Sequence, residues 1–208
     1  MPQSFPFFSF FIFNLLTSTL FTVSSYSWVG MWTGLEFNLI SFIPLLIIRP
    51  SPSSTESAVK YFIVQAFSSA LLLFSLLVLS FLPFLTQLTF LIIARLRLKI
   101  GLAPFHHWVP NIAASISWLN LFLLFRWQKL APLAILSQFI LSPINVKLTA
   151  IIRGLSAIVG GLGGLNQTQL RTILAFSSIG HIGWIISCLI ISTCVRIFVL
   201  NIKLHTYF

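Results

Sequence analysis

Aspartate is missing from this sequence altogether, and glutamate occurs only as Glu36 and Glu56. Residues of either charge make up 7% of the 208 positions. A soluble domain is typically about a quarter charged. A surface so poor in charge would aggregate in water, so the shortage excludes a soluble globular domain and points to lipid as the solvent. Disorder is excluded by the opposite excess: 58% of the residues are apolar and the mean hydropathy is +1.03.

Other absences remove whole classes of chemistry. Cys188 and Cys194 lie in the last apolar run and fit neither a zinc spacing nor a CxxC pair, so they read as small buried hydrophobes. With no aspartate, no HExxH and no histidines four apart, no metal cluster can be written, nor a Ser-His-acid set. Gly160, Gly161, Gly163 and Gly164 are followed by no Gly-Lys-Ser/Thr and complete no GxGxxG. They point instead to close helix packing or a turn before the next span. The N-terminus carries no basic leader, cleavage motif or Arg-rich amphipathic segment. That leads us to expect a chain inserted co-translationally in bacteria or made inside an organelle.

What is present is a net charge of +10 and a series of long apolar runs. The basic residues flank or interrupt those runs and form no polar face. They suit headgroup anchoring and topology, not nucleic acid. The runs are too long and too unalternating for strands. The expected fold is all-α: a polytopic transmembrane helix bundle of about seven spans, forming a single transmembrane domain over residues 1–208. The spans fall at about residues 7–23, 28–48, 58–81, from 85 to a break at Gly101 and Pro104, 116–140, 148–162 and 170–191, with a mixed, interfacial tail. Arg49-Pro50 ends the second, Pro83 the third, and Ser142-Pro143 marks a turn. Ser53 and Glu56 fit a capping box at the start of the third. Lys and Arg divide evenly between the two sides, so orientation stays open.

Charges inside the spans carry the functional information, because each costs roughly 2.5–3.5 kcal/mol at the bilayer centre. Glu36 sits within the second span. It reads either as a protonated donor between helices or, functionally, as a proton-binding carboxylate or a partner to a lysine, and the rarity of acids at this depth favours the functional reading. Lys99 stands just before the break at Gly101 and Pro104, where freed carbonyls need water or a side chain. A lysine there can release and rebind a proton, whereas Arg95 and Arg97 cannot and read as snorkelling anchors. Lys129 repeats the arrangement before Pro132. His106 and His107 follow the break, where they could carry protons or satisfy carbonyls, and His181 lies inside the last span.

The motif around Glu36, Trp32-Thr33-Gly34-Leu35-Glu36-Phe37-Asn38, resembles the second span of the chain 2 subunits of mitochondrial NADH-ubiquinone oxidoreductase. The resemblance runs on through Lys60-Tyr61-Phe62-Ile63-Val64-Gln65-Ala66 and Lys99-Ile100-Gly101-Leu102-Ala103-Pro104-Phe105-His106-His107-Trp108-Val109-Pro110. It returns at Trp127-Gln128-Lys129-Leu130-Ala131-Pro132, at Gly163-Gly164-Leu165-Asn166-Gln167-Thr168-Gln169-Leu170-Arg171 and at His181-Ile182-Gly183-Trp184. Thr172 and Phe176 depart from it, replacing a basic residue and a tyrosine usual in the family.

The resemblance implies an antiporter-like, proton-pumping subunit in the membrane arm of respiratory complex I, multi-pass in the mitochondrial inner membrane. By position it assigns proton translocation to Glu36, Lys99, Lys129, His106 and His181. It implies that NADH, FMN, iron–sulfur clusters and ubiquinone are bound by other subunits, that this chain holds no cofactor or metal, and that its partners are the other membrane-arm subunits and the lipid bilayer. The family is longer at the C-terminus and has a second broken helix there. The expectation is therefore of a domain that is incomplete relative to the family. Two other readings fit the same charges: a stand-alone Mrp-type cation/proton antiporter, and a structural subunit whose polar residues only satisfy helix breaks.

Overall fold

The computed structural model describes residues 4–47, 51–81, 89–139 and 143–205. They form α1 (Ser4–Ser24), α2 (Trp28–Ile47), α3 (Pro52–Phe81), α4 (Thr89–Ile100), α5 (Trp108–Ala113), α6 (Trp118–Phe122), a π-helical turn (Leu123–Trp127), α7 (Gln128–Phe139), α8 (Pro143–Leu165) and α9 (Leu170–His205). No strand occurs among the described residues. Six helical segments are long and apolar enough to cross a membrane. α6, the π turn and α7 run on as one of them. The remaining span expected from the sequence, the fourth, is the interrupted pair α4 and α5. Outward positions carry large apolar side chains such as Phe13, Phe37, Phe67, Ile158 and Trp184, as a lipid-facing surface requires.

Some local readings change. The third helix starts at Pro52, and its capping box is built on Ser51 rather than Ser53. The Ser51 hydroxyl accepts from the Ser54 N–H at 3.1 Å, and the Ser54 hydroxyl accepts from the Ser51 N–H at 2.9 Å. Proline at the first helical position favours that start, since its missing N–H is an orphan in any case. Glu56 instead pairs with Lys60 at 2.6 Å on an exposed face. The four glycines form no turn: they lie within α8. A Cβ on Gly160 would sit 2.7 Å from the Gly180 nitrogen, so α8 and α9 approach backbone to backbone there. Cys188 is exposed, not buried. The tail is helical to His205, an extension of α9. The expected breaks at Arg49-Pro50, Pro83 and Ser142, and the side chain of Cys194, lie outside what is described.

Buried apolar side chains gather in two clusters. One holds Leu35 of α2, Leu72 of α3, Ile93 and Leu96 of α4, Ile135 of α7 and Ile182 of α9. The other holds Leu39 of α2, Tyr61 of α3, Val109 of α5, Leu124 of the π turn and Ile179 of α9. In α2, α3 and the α6–α7 span, polar residues fall between the two: Asn38, then Gln65 and Ser68, then Gln128 and Lys129. A polar layer thus crosses the middle of the bundle. Hydroxyls elsewhere fold back on their own helices, as Ser18 does on the Leu15 carbonyl and Ser75 on that of Leu72, which hides them from lipid.

Candidate functional site

The polar layer is organised by the end of α4. Gly101, at φ 82°, turns the chain out of the helix in a conformation that costs a residue with a Cβ roughly 1–2 kcal/mol. The last carbonyls lose their helical donors and must find others. The Arg97 carbonyl accepts from the N–H groups of Gly101 and Leu102, at 2.9 and 3.1 Å. That of Leu98 accepts from the Trp108 indole at 3.1 Å, and that of Lys99 from the Gln65 amide at 3.2 Å. A neighbouring helix and the restart at α5 therefore satisfy the break.

Lys99 and Lys129 are both buried, at 6% and 5% exposure, and both line one cavity of about 20 Å³. That is room for a water molecule. Asn38 and Gln65 line it too, with Tyr61, whose hydroxyl donates to Gln128 Oε1 at 3.3 Å. Asn38 Oδ1 and Gln128 Nε2 are buried with no partner among the described residues, an acceptor and a donor for such a water.

Lys129 is aimed by the π turn that precedes it and by Pro132 after it, both of which interrupt the regular helical ladder. Its ammonium donates to Ser178 Oγ on α9 at 3.2 Å and lies 5.5 Å from the centre of the Phe125 ring. Ser178 passes its own hydrogen to the Ala175 carbonyl at 2.7 Å.

Glu36 is half-buried on α2, and its Oε1 is enclosed without a partner among the described residues. It comes within ion-pair distance of no basic group among the described residues. So two of the five residues singled out in the sequence, Lys99 and Lys129, meet in the cavity, while Glu36 is not among its lining residues. The two histidines stand apart. His106 lies beyond the break, half-buried, its ring 4.2 Å from that of His107, with Nδ1 enclosed and unpartnered among the described residues. His181 is exposed on the outer face of α9, one turn past Ser178 and outside the cavity.

Sequence reasoning passed over Asn38, Tyr61, Gln65, Gln128 and Ser178. The signal was there for the amides, since a polar side chain inside an apolar run must face protein. For Ser178 there was none, because serine is common on these helices and usually bonds its own backbone. Arg97 is corrected. It is no snorkelling anchor but is buried at 2% exposure, with Nη2 donating to Thr149 of α8 at 2.9 Å.

The family profile described as "NADH:quinone oxidoreductase/Mrp antiporter, TM" matches residues 25–83 and 82–208. NADH-ubiquinone oxidoreductase chain 2 of Lumbricus terrestris is 43% identical over 198 residues, which are 93% of this chain and 59% of that protein. The chain 2 protein of Lemur catta is 45% identical over 188 residues, 86% and 54% respectively. The chain therefore spans little more than half the length of the curated relatives it matches. Among solved structures, a chain of respiratory complex I from Thermus thermophilus superposes with a TM-score of 0.78 at 24% identity, covering 86% of this chain and 44% of that one. A chain of the Mrp complex from Dietzia sp. DQ12-45-1b gives 0.81 at 15% identity, covering 86% and 38%. These two show the fold.

Proposed function

Because the chain belongs to the NADH:quinone oxidoreductase/Mrp antiporter membrane family, we propose that it acts as a proton-translocating, antiporter-like membrane subunit of respiratory complex I. Its place is the mitochondrial inner membrane, among the other membrane-arm subunits. Residues 1–208 form one antiporter-like transmembrane domain in this reading. The observation that carries it is the pair of buried lysines, from two interrupted helices, sharing a water-sized cavity. Lysine, unlike arginine, can release and rebind a proton. Ser178 offers Lys129 an acceptor. A proton passes between Lys99 and Lys129 through the cavity in this scheme. His106 and His181, which lie outside the cavity, serve in this scheme as points where the path enters or leaves. NADH, FMN, iron–sulfur clusters and ubiquinone belong to other subunits, and electron transfer there drives the charge movements here.

The test is Lys99→Met, Lys129→Met and Glu36→Gln in the assembled complex. Each is expected to lower NADH-driven proton translocation while the complex still assembles, with Glu36→Gln the mildest. Normal pumping in assembled Lys99→Met would overturn the reading in favour of a structural subunit. The likeness to the Mrp chain supports a second reading, a stand-alone cation/proton antiporter with the same cavity. Blue-native electrophoresis separates the two: migration with NADH dehydrogenase activity supports the complex I reading, and migration apart from it the antiporter.

A further inference from the structure

We infer that Arg97 is a positioning residue: it ties the last turn of α4 to α8, so that Lys99 keeps its place in the cavity while its proton comes and goes. The inference rests on the proton-transfer reading of Lys99.

Arg97 is among the most enclosed polar residues of the described chain, yet no carboxylate serves it. The sequence has only two glutamates. Glu56 is exposed and paired with Lys60, and Glu36 is within ion-pair distance of no arginine or lysine among the described residues. The guanidinium has the Thr149 hydroxyl, and its Nε is buried without a partner among the described residues. A buried charge held by one neutral hydroxyl is poor as a stabilising device, so its presence calls for another purpose.

The geometry supplies one. Arg97 and Lys99 are two residues apart, so they leave the helix roughly 200° apart around its axis. One points to α8 and the other to the cavity among α2, α3 and α7. The Arg97 carbonyl is also the acceptor on which the chain turns at Gly101 and Leu102. Backbone and side chain of this one residue thus fix where the broken helix ends and how that end is rotated. Lysine at 99 changes charge in the cycle proposed above. Arginine does not deprotonate, so the anchor opposite it stays unchanged in both states.

Thr149→Val removes the hydroxyl and keeps the shape, and leaves both charges in place. Per assembled complex, the rate of proton translocation is expected to fall about tenfold, the scale of one lost hydrogen bond to a charged group. Thr149→Ser, which keeps the hydroxyl, is expected to restore it. Should Thr149→Val fail to assemble, Thr149→Ala carries the same comparison with the serine variant. A purely structural role would lower the amount of complex and leave the rate per complex unchanged, and that result overturns the inference. Lys99→Met is run in parallel. If it pumps normally, the proton-transfer reading fails and the inference with it. If it is defective while Thr149→Val pumps normally per complex, only the role of Arg97 is overturned.

Discussion

Replacing Gly101 by alanine tests whether the break in α4 is built as described. Gly101 holds φ at 82°, a conformation that costs an L-residue about 1–2 kcal/mol. A Cβ there would run into Val109 Cγ2 and approach the Trp108 ring at 3.2 Å. Neither neighbour can move aside freely. Val109 is fully buried in one of the two apolar clusters, and Trp108 is held by its indole bond to the Leu98 carbonyl. Overpacking of that kind costs about 1–3 kcal/mol, so the whole penalty is about 2–5 kcal/mol. Lys99 is two residues away, and a shift of about 1 Å at a reacting group can cost roughly a hundredfold in rate. Gly161→Ala is the control. It lies on the open face of α8, where a Cβ meets nothing within 4 Å, and alanine is the better helix former by about 0.5–1 kcal/mol. Membranes carrying each variant are heated in steps, and intact complex is read by native electrophoresis with NADH dehydrogenase staining. Proton translocation is then measured per intact complex. Gly101→Ala is expected to lose complex at lower temperature and to pump far more slowly, and Gly161→Ala to match the parent. If the two variants behave alike, the account of the break is wrong.

Gln65→Leu leaves the Lys99 carbonyl buried without its donor, a loss of about 1–3 kcal/mol; thermal loss of intact complex at a lower temperature is the expected result. Ser178→Ala takes away the hydroxyl that accepts from the Lys129 ammonium, and slower proton translocation with normal assembly is expected, with Ser178→Thr close to the parent. Lys60→Met breaks only the exposed pair with Glu56; such pairs contribute little, so pumping and thermal stability are both expected to stay as they were. Gly160→Ala drives a methyl group into the backbone of Gly180 and Phe176, and the α8–α9 pair is expected to loosen, seen as faster protease cleavage within residues 165–170.

The sequence alone determined the solvent of this protein and the kind of fold. Composition did that, because a chain with so few charges can satisfy its backbone in lipid only as helices or a closed barrel, and the apolar runs do not alternate. Span positions followed from run length, and the break from Gly101 and Pro104, whose backbone preferences are local. Glu36, Lys99 and Lys129 also stood out as candidates, since a charge at that depth must have a reason. Which of these meet was not legible. Whether two helices bring their lysines to one cavity depends on packing between residues far apart in the chain, such as Gln65 on the Lys99 carbonyl and Lys129 on Ser178. Burial of Arg97 against Thr149, and exposure of His181, were likewise decided only in three dimensions. A helix's sequence says how apolar it is all round, but its rotation toward one neighbour or another is set by the side chains it meets there.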